Sequence, residues 1–406
     1  MHIASVAAAL ALAAIATASD PQLPLSDHVP SYRDALLALH RSLISIPSIS
    51  GTENQVGSFL VDYLASQDYT VDLQFVKPRD NTPEGQDRFN VVAWKGSETP
   101  SPRLLVTSHI DVVPPNIPYN IDDGDITSDT LIKGRGSVDA KGSIAAMITA
   151  FEELLQANRV NADDVMLLFV VGEEVSGDGM RAFSESVKTM PHGLRFDAAI
   201  FGEPTENKLA CGHKGGLFCV LKAKGVPGHS GYPWLGKSAN EVTVRALAKL
   251  IDTDLGSSEE YGNTTVNIGR FEGGVASNVI AENATVDIMV RVAIGPEKEG
   301  SEIARHRILK ALDEVDDEAF DLECSPGYGF VDCQCGVDGF DDIVVNYGTD
   351  IPFLQGDHVR YLYGPGSILV AHGANENLTV GVLEDAVEGY QKLILHALAK
   401  DGPEEL

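Results

Sequence analysis

Imidazoles and carboxylates stand where four short apolar runs stop. "RLLVTS" (103–108) runs into His109 and Asp111, "VMLLFVV" (165–171) into Glu173 and Glu174, "DAAIF" (197–201) into Glu203, and "GSILVA" (366–371) into His372. In open α/β sheets, ligand sites form beyond the carboxyl ends of the strands. Each residue also has an ordinary reading: a hydrogen-bonded histidine, a solvated glutamate pair, an acid at a helix N-terminus for Glu203, a helix cap for Asp139. All of those readings would have to hold independently. Two imidazoles and three carboxylates with open positions suit zinc, and a two-metal centre needs one carboxylate to join ions about 3.5–4 Å apart.

Asp139 is assigned that bridge. It sits in "GRGSVDAKG" (134–142), which nearly spells the dinucleotide loop G-x-G-x-x-G. Asp139 replaces the third glycine, and the preceding "TLIKGRG" is short and polar where such a loop should follow a buried strand. The glycines instead permit a close approach of backbone to metal. Of Glu173 and Glu174, one can ligate while the other takes a proton from the attacking water and hands it to a leaving nitrogen. Asp111 is too near His109 to ligate independently, and reads as the acceptor that fixes the imidazole tautomer.

These residues need a scaffold that brings strand ends together. From about residue 34 to 210, helical spacing (Leu36 to Leu43, Gln55 to Leu64, Ile144 to Leu155) alternates with the apolar runs, the pattern of a mostly parallel sheet. Residues 214–324 change character. "LFCVLKAKG", the helix Ala239 to Ile251, "TTVNIGRF", "ATVDIMVRVAI", the helix Ile303 to Leu312 and "AFDLEC" give the order βαββαβ, a ferredoxin-like arrangement. The α/β pattern then resumes, with a strand at 366–371 and a helix from Leu383 to Leu398. The expected fold is α/β. A catalytic domain of residues 20–213 plus 325–406 carries a mostly parallel sheet, and an α+β domain of residues 214–324 is inserted into it.

The remaining features bound the class. The chain has 406 residues, 44% hydrophobic and 22% charged, enough for two domains with a large core. Its formal charge of −29 argues against nucleic acid and anionic membranes. No run after the N-terminus is long and apolar enough to span a bilayer. "MHIASVAAALALAAIATAS" (1–19) reads as a secretory signal peptide, with Ala16-Thr17-Ala18 as cleavage site. Sequons at Asn263, Asn283 and Asn377 fit a secreted glycoprotein. Five cysteines allow at most two disulfides and one leftover thiol, with pairings unassigned.

The ordered motifs "SHIDVVPP", "GRGSVDAKG", "GEEVSGDG", "FGEPT", "GHKGG", "GHSGYP", "GGVASNVI" and "GPGSILVAHGANE" resemble those of the zinc-dependent dinuclear hydrolases that include acetylornithine deacetylase, succinyl-diaminopimelate desuccinylase, aminoacylase and glutamate carboxypeptidase. The resemblance spans nearly the whole mature chain. It implies two Zn²⁺ per subunit, with His109 and His372 as terminal ligands, Asp139 as bridge, and Glu174 and Glu203 as the remaining carboxylates. It implies Glu173 as general base and Asp111 as the acid orienting His109. It further implies His229 as the oxyanion-stabilising histidine, often supplied by a partner subunit, so a homodimer through the inserted lid domain is a candidate assembly. Asn278 and Arg291 resemble the substrate-binding pair, Arg291 clamping a carboxylate.

In many relatives a second acid follows the bridging aspartate; here Ala140 does. The expected activity is a secreted carboxypeptidase acting on short peptides or N-acyl amino acids. An N-acyl-amino-acid deacylase or aminopeptidase on the same scaffold is the enzyme alternative, and a catalytically inactive binding module the alternative from another class.

Overall fold

The computed structural model describes residues 29–97, 100–189 and 194–399. The expected signal peptide lies outside them. A six-stranded sheet forms the larger unit. Its strands run in the order Thr70–Val76, Arg88–Trp94, Val165–Val170, Leu104–His109, Ala198–Gly202 and Val359–Tyr363. The last four are mutually parallel, while Arg88–Trp94 is antiparallel to both of its neighbours. The sheet is therefore mostly parallel, as expected, with two added strands at one edge.

The apolar runs are continuous because both faces are covered. Leu104, Val106, Leu167 and Ile200 point into a core with the helices Arg33–Ser45, Lys141–Gln156 and Val380–Leu398. Leu105, Met166, Leu168 and Phe201 point the other way, onto Met180 and Phe183 of the helix Asp178–Thr189. Lys141–Gln156 buries Ile144, Met147, Ile148, Phe151 and Leu154, and packs against Val380–Leu398. Thr379 caps the latter helix, its Oγ1 accepting from the Val382 N–H at 3.3 Å.

One expected strand is absent. Residues 368–372 form a turn, and the strand of this region is Val359–Tyr363, parallel to Ala198–Gly202. The sequence Gly364-Pro365-Gly366 stops that strand, Gly366 having φ +79°. "ILVA" looks like a core strand by composition, yet Leu369 is 86% exposed.

The inserted unit is a four-stranded antiparallel sheet ordered Thr265–Gly273, Asn283–Val292, Gly215–Lys224 and Phe320–Cys324. The helices Ala239–Ile251 and Gly300–Asp313 cover one face, burying Leu217, Leu221, Val286, Ile288, Val290, Leu247, Leu250, Ile308 and Leu312. The chain order is βαββαβ. Alternate residues of the two central strands are buried, as a sheet with one covered face requires.

Disulfides join Cys219 to Cys324 on adjacent strands of this unit and Cys211 to Cys335 in the larger one, leaving Cys333 as the thiol. No helix among the described residues is long and apolar enough to cross a membrane.

Candidate active site

The loop 134–142 is built around a carboxylate outside the set of expected site residues, Glu376. Glu376 is 1% exposed. Its Oε1 accepts from the N–H groups of Gly136 (2.9 Å), Val138 (3.0 Å) and Asp139 (3.2 Å), and its Oε2 from Arg135 Nη1 at 2.6 Å. Arg135 Nη2 donates to the His372 carbonyl at 3.4 Å. One ion pair thus ties the Asp139 loop to the His372 turn. Gly136 has φ +87°, a conformation that lets neighbouring N–H groups converge on one acceptor. Lys141 Nζ donates to the Leu43 and Ile46 carbonyls at 2.9 Å each, fixing the start of the next helix.

Asp139 lies between the two histidines. His109 Nε2 is 3.1 Å from its Oδ1, and His372 Nε2 is 3.2 Å from its Oδ2. Glu203 approaches His109 Nε2 at 3.7 Å, while Glu174 approaches His372 Nε2 at 3.0 Å. His109, Asp139 and Glu174 form one group of converging ligand atoms, and His109, Glu173 and Glu203 another. The histidines differ in setting. His109 closes its strand with its side chain 1% exposed; His372 comes from the turn, with φ +61° and its side chain 52% exposed. One side of the cluster is deep and the other opens to solvent.

Asp111 does something different from the expectation. His109 Nδ1 donates to the Asp111 backbone carbonyl at 2.9 Å, which fixes the tautomer because a carbonyl can only accept. The Asp111 carboxylate stands 3.7 Å from that nitrogen. Instead it accepts from Ser50 Oγ (2.6 Å) and from the N–H groups of Glu173 (3.1 Å) and Glu174 (3.3 Å). It shapes the glutamate turn rather than the imidazole.

The side chains by themselves compete for protons. Burial first, then Glu203, pushes Glu173 well above the usual carboxylate range. Burial and Asp139 push Glu174 up to about 7. Burial alone would depress His109, but Glu203 and Asp139 outweigh it and hold it well above its ordinary value. Hydrogen bonds to Asp139 and Glu174 raise His372 to about 10. Glu174 Oε1 is buried without a hydrogen-bond partner. One orphaned acceptor beside crowded carboxylates and two imidazole nitrogens fits a site for divalent cations, which relieve the same repulsion that the protons do.

The three lid residues separate into two places, with His229 and Asn278 neighbours on the lid and Arg291 elsewhere on its sheet. Arg291 lies on the sheet face opposite the helices, next to Gly348 and Tyr328. Burial first, then the negative charge of Glu173, raises the Tyr328 hydroxyl above its ordinary range, and Asp350 adds to the effect. His229 and Asn278 are exposed on the lid, joined by the Ser230 N–H to Asn278 carbonyl bond at 3.0 Å and the His229–Val279 bridge. The His229 Nδ1 accepts from the Gly231 N–H, and its ring meets Tyr232. Among the described residues no contact carries either one to the Asp139 cluster of the same chain. Asp350, also unanticipated, lines a cavity with His109, Glu173 and Glu203.

Residues 105–396 match the description "Peptidase family M20/M25/M40". The chain belongs to this family. It is an enzyme of the metallopeptidase kind that the ordered motifs led us to expect. It is 58% identical over 404 residues to a peptidase M20 domain-containing protein of Sordaria macrospora, covering 95% of this chain and 89% of that one. It is 49% identical over 383 residues to a probable carboxypeptidase of Aspergillus oryzae, covering 90% and 88%. Among solved structures, the M20 metallo-carboxypeptidase Sso-CP2 of Sulfolobus solfataricus superposes with TM-score 0.68 at 16% identity, over 89% of this chain and 98% of that one. The dipeptidase Dug1p of Saccharomyces cerevisiae gives TM-score 0.71 at 15% identity, over 92% and 97%. At such identities these two neighbours speak for the fold alone.

Proposed function

We propose that the chain is a secreted, zinc-dependent carboxypeptidase that cleaves the amide next to a free carboxylate in short peptides or N-acyl amino acids. The observation that carries this reading is Asp139 standing between two imidazole nitrogens with the Glu173–Glu174 turn alongside. His109 and Glu203 would hold one ion, His372 and Glu174 the other, and Asp139 both; nitrogen and oxygen donors of this kind suit zinc. When bound, the two ions supply Lewis-acid polarisation of the scissile carbonyl and lower the pKa of the attacking water. Glu173 takes the proton from that water and delivers it to the leaving nitrogen, a task suited to a carboxyl whose pKa burial has raised. Arg291 pairs with the free carboxylate.

His229 and Asn278 are exposed, and the His229 ring meets Tyr232, which with Trp234 and Leu235 is exposed too. A second copy docking through the lid would deliver them, His229 to the developing oxyanion. The likeness to proteins named probable carboxypeptidases supports the choice of activity. Two disulfides, and sequons exposed at Asn263 and Asn283, support secretion.

The test compares an N-blocked dipeptide with the same compound amidated at its C-terminus. Losing the partner of the half-buried Arg291 guanidinium should lower kcat/KM by roughly a hundredfold. Equal turnover of the amidated compound would defeat the carboxypeptidase reading.

A further inference from the structure

Asp350 is a buried carboxylate for which the chain supplies no partner. It is 4% exposed, and neither carboxylate oxygen has a hydrogen bond. It begins the short 3-10 turn Ile351–Phe353, but only its backbone carbonyl serves that turn, and the side chain makes no capping bond. The guanidinium of Arg181 is occupied elsewhere, stacking on Phe353 at 3.6 Å and donating to the Ser176 carbonyl. Asp350 instead lines the cavity that holds His109, Glu173 and Glu203. An unpaired buried carboxylate is costly unless a cation completes it. Arg291 Nη1, on the inserted unit, lies beside Gly348, two residues before Asp350 in the chain, so a substrate held between the two units would meet opposite charges at its two ends.

We propose that Asp350 is the anionic contact for a primary ammonium group carried by the substrate on the acyl side of the scissile amide, opposite its free carboxylate. The proposal rests on the hydrolase reading above and narrows it from acylated to zwitterionic or basic substrates. The ammonium could be the α-amine of a dipeptide or the side chain of a basic residue, and both place the same –NH₃⁺ chemistry at Asp350.

The experiment uses the full metal-loaded chain and three compounds: a neutral dipeptide with both ends free, its N-acetyl form, and an N-acetyl dipeptide beginning with lysine. Wild type should turn over at least one ammonium-bearing compound about tenfold or more faster in kcat/KM than the N-acetyl neutral one, and which one identifies the source. Asp350→Asn should abolish that preference while metal content and turnover of the N-acetyl neutral compound stay within about twofold. Absence of the preference in wild type, or its survival in Asp350→Asn, overturns the proposal; so does equal loss on every compound. Calorimetric titration of the same compounds into Glu173→Gln reads the preference without turnover. A preference there, with an inactive wild type, would keep the ammonium site and sink the hydrolase reading.

Discussion

Glu173→Gln will lose between about a hundred- and ten-thousandfold in kcat while keeping its metal and its fold. The amide has the size of the carboxyl it replaces but cannot take up a proton. The backbone of Glu173 is held by the Asp111 carboxylate at 3.1 Å, so the turn keeps its shape. Its side chain lines the cavity with His109 and Glu203, and is not the acid that approaches His372; Glu174 is, at 3.0 Å. Glu174→Gln should therefore fail differently, through weakened metal binding. Steady-state kinetics beside elemental analysis of both variants separates the roles. Full turnover in Glu173→Gln would remove it as the base, and loss of metal would make it a ligand.

Glu376→Ala will cost about 3–5 kcal/mol of stability and weaken the metal centre, although Glu376 approaches no histidine of the cluster. The substitution leaves Arg135 buried without its anion and takes the acceptor from three N–H groups at once. Asp139 and His372 are distant in sequence, and the Arg135–Glu376 pair is a polar bridge between their segments. Glu376→Gln, which keeps an acceptor oxygen but not the charge, should fall between wild type and alanine. Denaturant midpoints and metal titrations on the two variants check this order. An alanine variant of wild-type stability that holds its metal equally well would show that the loop stands without the bridge.

The parts that were legible in the sequence share a physical cause. Strands buried on both faces are written as unbroken apolar runs, and three such runs end at His109, at the Glu173–Glu174 turn and next to Glu203. The same rule misread "ILVA", because apolar composition does not report exposure, and Gly364-Pro365-Gly366 was the stronger signal. Thr70–Val76 escaped notice as an edge strand with mostly exposed or half-buried residues. Arg88–Trp94 escaped because it opens on a buried Arg88 that pairs with Glu53 at 2.8 Å.

Glu376 and Asp350 carry no local periodicity; what marks each is the partner it has or lacks across the fold. Glu376 closes the motif "GPGSILVAHGANE", four residues after His372. Asp111 reads from its spacing as a supporting acid, but spacing does not separate its carbonyl, which serves His109, from its carboxylate, which serves the Glu173–Glu174 turn.

The central claim is that two divalent ions share Asp139. Elemental analysis of the intact chain, purified without chelators, tests it most directly. Two zinc ions per chain are expected, falling to one or fewer in His109→Ala and in His372→Ala and to none in Asp139→Ala. A native chain with no bound divalent metal, or an Asp139→Ala chain that still holds both ions, would contradict it.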